Sequence, residues 1–458
     1  MTVNRREFLR RCIHSAIGGA SIYSAFGGLR LIESAAAAQL GSFPDYRALV
    51  CIFLYGGNDS FNMIVPSDPP HYSTYQATRR GLAIDRERLR ALSPLNDGLP
   101  GDGAHYGLHE NMPELADLFN AGHAAVIANV GTLQYPITAA QYQAGTVPSP
   151  LQLFSHGEQT TFWQTSRVDD VKANGWGGRI ADLLHPGNPN QQLTMSISLF
   201  GDNQFQRGDN VPQYVMSHQG VKPLEYEERE SATANAVFNA LATEAPQHHV
   251  FERAFTNAMR RSMSNYALIN SGLQAATDFP AFPTSELGLQ LKMVARLISA
   301  RNTLNMRRQV FFVALPGLDH HNGQLTAHAP ILEDLSRSLK AFYDATVAMG
   351  VQNSVTAYTT SEFGRSTSIN GDGTDHGWGG HHFVVGGAVR GRRFYGRMPS
   401  LASTNNPDDT GYGQIIPTLA VDQYAATIAR WFGVNNSGIS DIFPNLGRFA
   451  TADLGFLS

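Results

Sequence analysis

Acids and imidazoles gather in a few glycine-containing stretches of this chain. LYGGNDS offers Asp59 with Ser60 beside it, GLDHHNGQ offers Asp319, His320 and His321, and SEFGR offers Glu362. DGTDHGWGGHHFVVGG, residues 372–387, adds Asp375, His376, His381 and His382 next to a short apolar run. Carboxylate oxygen with imidazole nitrogen is the ligand chemistry of zinc, and of manganese or iron in hydrolytic sites. Each stretch alone also has a plainer reading. An Asp after a strand caps a turn or helix, Glu362 can pair with Arg365, and of the adjacent His320 and His321 one must pack or support. A fifth stretch, PSPLQLFSHGEQTTFWQTSR, carries a hydroxyl, because Ser155 stands where a helix would begin with Glu158 at capping-box spacing. That serine is an N-cap, or a nucleophile held at a positive helix end where its proton is more easily lost.

These residues need a frame that brings them together. RALVCIFLYGG, AAVIANVG, RQVFFVALP and NSVTAYTT are short, β-branched apolar runs, and each ends abruptly in a polar loop. Between or after them lie amphipathic stretches of helical period, such as MPELADLFNAG, SELGLQLKMVARLISARNTLN, ILEDLSRSLKAFYDATVAMG and VDQYAATIARWFG. Alternating strands and helices predict an α/β fold with a mainly parallel central sheet flanked by helices. Ligands collect at the carboxyl ends of such strands, where Asp59, Asp319, His320, His321 and Glu362 all fall. Gly377, Gly379 and Gly380 would let the backbone bend closely round a site there. Between about 200 and 285, YEERESATANAVFNAL and HVFERAFTNAMRRSMSNYALINSGLQ predict a helical insertion.

The amino terminus supplies a different signal. NRREFLRRC, a mildly apolar stretch and SAAAAQ together predict a twin-arginine export signal over residues 1–38, cleaved near Ala38, leaving residues 39–458 to fold. The apolar part is too broken by Gly and Ser for a stable membrane span. Partners therefore include the twin-arginine export machinery, and the expected location is periplasmic or secreted. Cys12 would leave with the signal and Cys51 remain alone, so no intramolecular disulfide can form. The signal holds five arginines and two glutamates, a net +3, so its loss takes the formal charge from −4 to −7. A surface of that sign argues against nucleic acid.

YGGNDSFNMIVPSD, LFSHGEQTTFWQTS, GLDHHNGQ, SEFGRS and GTDHGWGGHHFVVGGAVRG, in this order behind a twin-arginine signal, resemble the bacterial proteins grouped as domain-of-unknown-function family 1501. That family looks like a distant branch of the alkaline phosphatase and sulfatase superfamily, so the resemblance implies an alkaline-phosphatase-like fold. It also implies a metal-ligand role for Asp59 and a nucleophile role for Ser155, with Thr160, Thr161, Trp163 and Thr165 behind it. Asp319 with His321 is similar to the superfamily's metal motif, though two residues apart instead of four, and its last histidine would be His376 or His382. Phe363 stands where a histidine is expected and cannot bind a metal. Either His376 supplies the missing imidazole, or the site holds one metal, or catalysis has been lost.

The expectation is an exported metal-dependent hydrolase of phosphate or sulfate esters, small or polymeric. One or two divalent transition metals, zinc or manganese, would be held by ligands drawn from Asp59, Asp319, His321, Glu362, Asp375, His376 and His382. Ser155, or a water, would attack, and Arg365 is a candidate clamp for the anion, or else a structural ion pair. The alternative is a non-catalytic periplasmic protein that keeps the fold and serves envelope or polysaccharide assembly.

Overall fold

The computed structural model describes residues 43–221, 236 and 250–458. The expected signal lies outside the described residues, as does almost all of the first insertion helix. Among the described residues the strands are β1 (Arg47–Leu54), β2 (Ile64–Pro66), β3 (Arg90–Ala91), β4 (Tyr106–Leu108), β5 (Ala124–Gly131), β6 (Ser196–Ser198), β7 (Tyr214–Val215), β8 (Arg308–Leu315), β9 (Val355–Thr360), β10 (Arg365–Ile369), β11 (Thr374–His376), β12 (Gly380–Val385), β13 (Phe394–Tyr395) and β14 (Leu419–Ala420). The helices are α1 (Ser60–Met63), α2 (Pro69–Arg79), α3 (Pro113–Asn120), α4 (Ala139–Ala144), α5 (His156–Thr165), α6 (Trp176–Leu184), α7 (Val250–Gln274), α8 (Glu286–Ser299), α9 (Gln324–Ala348), α10 (Val421–Phe432) and α11 (Asn436–Ile442). The second expected insertion helix is α7.

The main sheet runs β13-β5-β12-β9-β1-β8-β6-β7, with β14 also on β5. All pairs in it are parallel except those of β12, which runs antiparallel to both β5 and β9. The mainly parallel sheet expected from the alternation is therefore present, with one strand reversed. β5 and β8 are buried along their whole length, and β1 is buried after its first residue. That is why they read as continuous apolar runs without alternation: helices cover both faces. α3, α8 and α9 pack as one group, and α5, α6, α10 and α11 as another. Cys51 lies in β1, buried and unpaired with any cysteine, as its apolar surroundings implied.

Three features of this frame position the site. β1 and β8 are in register from Arg47 opposite Arg308 to Leu54 opposite Leu315, so the loops that follow them leave the sheet side by side. Those loops touch so closely that a Cβ on Gly56, at φ +116°, would lie 2.4 Å from the Asp319 backbone nitrogen, and only glycine fits there. Because β12 is reversed, its first residues lie at the carboxyl ends of its neighbours, with Gly380 opposite Val130 of β5. The stretch before β12 thus arrives at the same edge as the loops after β1, β8 and β9. Within it, β10 and β11 form a small antiparallel hairpin that sets Arg365 directly across from His376.

Candidate metal centre

Asp319 is the hub of the polar cluster at this edge. Its Oδ1 accepts from Arg365 Nη1 at 2.6 Å and lies 2.9 Å from His321 Nε2 and 3.1 Å from His376 Nε2. Its Oδ2 is 3.4 Å from His156 Nε2. Partial burial works against ionisation, yet the hydrogen bond and charge of Arg365, aided by His321 and His376, hold the Asp319 carboxyl down at about 2. It is a carboxylate at any physiological pH.

The second layer fixes which ring nitrogen faces inward. His156 is the first residue of α5, and its Nδ1 lies 2.9 Å from Oε1 of Glu362, a side chain that is almost wholly buried. The same Oε1 accepts from the Gly56 backbone N–H at 2.8 Å. The Glu362 hydrogen bond, more than the opposing burial, raises the pKa of His156. His376 places Nδ1 2.6 Å from the carbonyl oxygen of Phe154. A carbonyl only accepts, so this nitrogen carries the proton and Nε2 turns a lone pair toward Asp319. Burial is the main reason the pKa of His376 is lowered, with the charges of Arg365 and His156 adding to it. The ligand atoms of His156, Asp319 and His376 all lie within 4.8 Å of one another.

The structure distributes the sequence candidates unevenly. Asp319, His321, His376 and Arg365 come together directly, and Glu362 joins through His156. Asp375 stands at the rim, exposed, with Oδ1 3.3 Å from His321 Nδ1 and accepting from Asn370 Nδ2 at 2.6 Å. Of the adjacent pair, His321 faces the cluster while His320 is buried edge-on against His328, ring centroids 5.7 Å apart.

Asp59 is placed elsewhere. It caps α1, accepting from the Phe61 and Asn62 backbone N–H groups at 3.2 and 3.3 Å, and its other oxygen takes Arg79 Nη2 and Gln324 Nε2. Buried and so fully engaged, it is linked to the cluster through Gln324, Thr374 and Arg365. His382 is also apart. It is a buried residue of β12 whose ring stacks near Tyr424 and lies edge-on to Trp163. Burial pushes its pKa down to about 3. Of these two histidines, His376 lies in the cluster with Asp319 and His382 does not.

Arg365 takes the structural role. Its guanidinium is buried and spends its donors on Asp319, the Gly56 carbonyl, and the hydroxyl and carbonyl of Thr374, which leaves it holding Asp319 instead of reaching for an anion. Phe363, in place of an expected imidazole, stacks on His376 with centroids 4.6 Å apart and leans on His156 at 4.9 Å. It forms an apolar wall that fixes both rings. Ser155 is the N-cap of α5 by backbone, yet its side chain makes no cap bond and its hydroxyl meets Oε2 of Glu158. The capping-box spacing is present without the reciprocal backbone bonds of a box. His156 was not a candidate from sequence; its one signal was an imidazole in the first turn of a helix already singled out for its serine.

An α/β protein with a histidine and carboxylate cluster at its strand ends is thus defined. The chain belongs to the family described as Protein of unknown function (DUF1501), whose model matches residues 46–423. No curated protein matches it. Similar solved structures include Ps i-CgsB in complex with k-i-k-neocarrahexaose, with TM-score 0.36 and 10% identity, covering 89% of this chain and 75% of that one. The lipoteichoic acid synthase LtaP from Listeria monocytogenes gives TM-score 0.33 and 7% identity, covering 85% and 72%. PsFucS1 sulfatase from Pseudoalteromonas sp. gives 0.29 and 8%, covering 78% and 66%. At such scores the chemistry of this chain must be read from its own residues.

Proposed function

We propose that the chain is an exported hydrolase of phosphate or sulfate esters that uses one divalent transition metal, zinc or manganese, held by His156, Asp319 and His376. The observation that carries this reading is the direction of the lone pairs. With Nδ1 of His376 donating to a carbonyl and Nδ1 of His156 donating to Glu362, both Nε2 atoms face a carboxylate that is also only an acceptor. Acceptors facing acceptors repel unless a proton or a cation lies between them, and the proton-only alternative is a charged His156 with His321 Nε2, which stands 3.1 Å from His376 Nε2 and 2.9 Å from Asp319 Oδ1. Two imidazoles, each oriented by a carboxylate or carbonyl on its far nitrogen, with one carboxylate, are donors of the types that would hold a catalytic zinc ion.

Such an ion would polarise the ester oxygen and ease ionisation of an attacking hydroxyl or water. The chain's own residues do the rest. Arg365 holds Asp319 in place and in its charged form. Phe363 keeps water from one side of the two imidazoles. Ser155 stands beside His156 at the start of a ten-residue helix whose positive end favours an anionic group, and the Glu158 carboxylate is in contact to take its proton. Asp59 with Arg79, joined through Gln324 and Thr374, braces the hairpin from behind. Export rests on the twin-arginine pattern at the amino terminus, and no helix among the described residues is long and apolar enough to cross a membrane.

The test is a panel of phosphomonoester, phosphodiester and sulfate-ester chromogens, assayed on the protein as purified, after chelation, and after return of zinc or manganese. The reading expects turnover that falls on chelation and returns with metal. A protein that binds metal and turns over no ester would instead be the non-catalytic envelope protein.

A further inference from the structure

A glycine position is filled by phenylalanine beside the cluster. The Ser155 backbone N–H donates to the Gln152 carbonyl at 3.1 Å, closing a β-turn, and the third residue of that turn, Phe154, has φ +72°. Positive φ at this position is the province of glycine, and in a bulky residue it is a strained conformation. Were the turn the only requirement, glycine would serve better. Two contacts explain the larger residue. The Phe154 side chain packs against the buried group of Leu133, Trp378, Ile416 and Phe449, and its carbonyl oxygen accepts from His376 Nδ1 at 2.6 Å. Trp378, two residues beyond His376, belongs to that same group, so both ends of the hydrogen bond are anchored in one apolar cluster.

We propose that Phe154 is a positioning residue: its ring wedges the strained turn so that its carbonyl locks His376 as the Nδ1–H tautomer, with Nε2 presented to the cation. For its consequence on metal binding this rests on the metal reading above; the tautomer lock itself does not. Glycine at 154 keeps the turn and removes the wedge, whereas leucine keeps an apolar wedge.

The experiment is nitrogen NMR of the histidine rings in metal-stripped wild type, Phe154→Gly and Phe154→Leu, at a pH where His376 is neutral, with zinc affinity and melting measured alongside. Expected are the Nδ1–H form in wild type and F154L, a shift toward Nε2–H in F154G, and zinc binding about 10- to 100-fold weaker in F154G with the fold retained. An Nε2–H form in wild type, or an unchanged tautomer in F154G, overturns the proposal. Should F154G not fold, Phe154→Ala is read in the same way. If wild type binds no metal, the metal reading fails and the tautomer comparison still decides the role of Phe154.

Discussion

The protein should unfold steeply in mild acid, and the slope follows from four buried imidazoles. Burial holds His328, His381 and His382 down at about 3 and His109 at about 4, against 6.5 for an exposed histidine. Each folded value lies below the unfolded one, so as pH falls through 6.5 the unfolded chain takes up protons that the folded chain refuses, and stability drops. Asp422 works the other way. Burial pushes its carboxyl up to about 7 from 3.8, so below pH 7 the folded chain holds one proton more than the unfolded. Four protons less one leaves about three, a limiting slope of roughly 4 kcal/mol per pH unit between about pH 4.5 and 6. Going from pH 7 to 5.5 then removes about 3 kcal/mol, a large part of the roughly 5–15 kcal/mol that holds a typical domain together. His185, His320 and His376, also held down, steepen the slope, and His156, held up, eases it. The assay is urea unfolding of metal-stripped protein by circular dichroism at half-unit pH steps. His382→Phe, which keeps an aromatic ring between Trp163 and Tyr424, should lower the slope by one proton, about 1.4 kcal/mol per unit. A slope below one proton, or one that H382F leaves unchanged, refutes the reasoning.

Other outcomes follow from particular contacts. Ser155→Ala should lower ester turnover by several orders of magnitude with metal content unchanged, and cost less than about 1 kcal/mol in urea unfolding, since its side chain makes no cap bond. Arg79→Met leaves the Asp59 carboxylate buried without its ion pair and should destabilise the fold by about 3–5 kcal/mol, read by the same unfolding assay. Changing Arg5 and Arg6 together to Lys should stop export and leave folded protein in the cytoplasm, while wild-type periplasmic material should begin near Gln39 by intact mass.

The sheet was legible because its long strands are buried on both faces and written as unbroken apolar runs: β1, β5, β8 and β9 stand where those runs do. β12 was not. GHHFVV carries two histidines behind an opening glycine, reads as the end of a loop, and runs against its neighbours, which no local pattern announces. The cluster was legible by class and only partly by member. Asp319, His321 and His376 follow strand ends or precede β12, so the rule that polar residues collect there found them. Asp59 obeys the same rule, yet Arg79 at the end of α2 claims it, and that pairing depends on how a helix folds back over the sheet. His381 and His382 are both buried in the core, one against Phe61 and the other against Trp163 and Tyr424, because β12 is covered on both faces. His156 was hidden for the converse reason. It is brought to Glu362 and Asp319 by the docking of α5, a contact across more than 150 residues.

The proposed hydrolase depends on its metal, and elemental analysis of protein purified from the exported fraction tests for that ion most directly. One zinc or manganese per chain is predicted in wild type and in His382→Phe, and loss of that ion in His156→Ala, Asp319→Ala and His376→Ala, each checked for a native circular dichroism spectrum. Folded wild-type protein that holds no ion even after equilibration with excess zinc or manganese would contradict it, as would full occupancy in folded His156→Ala.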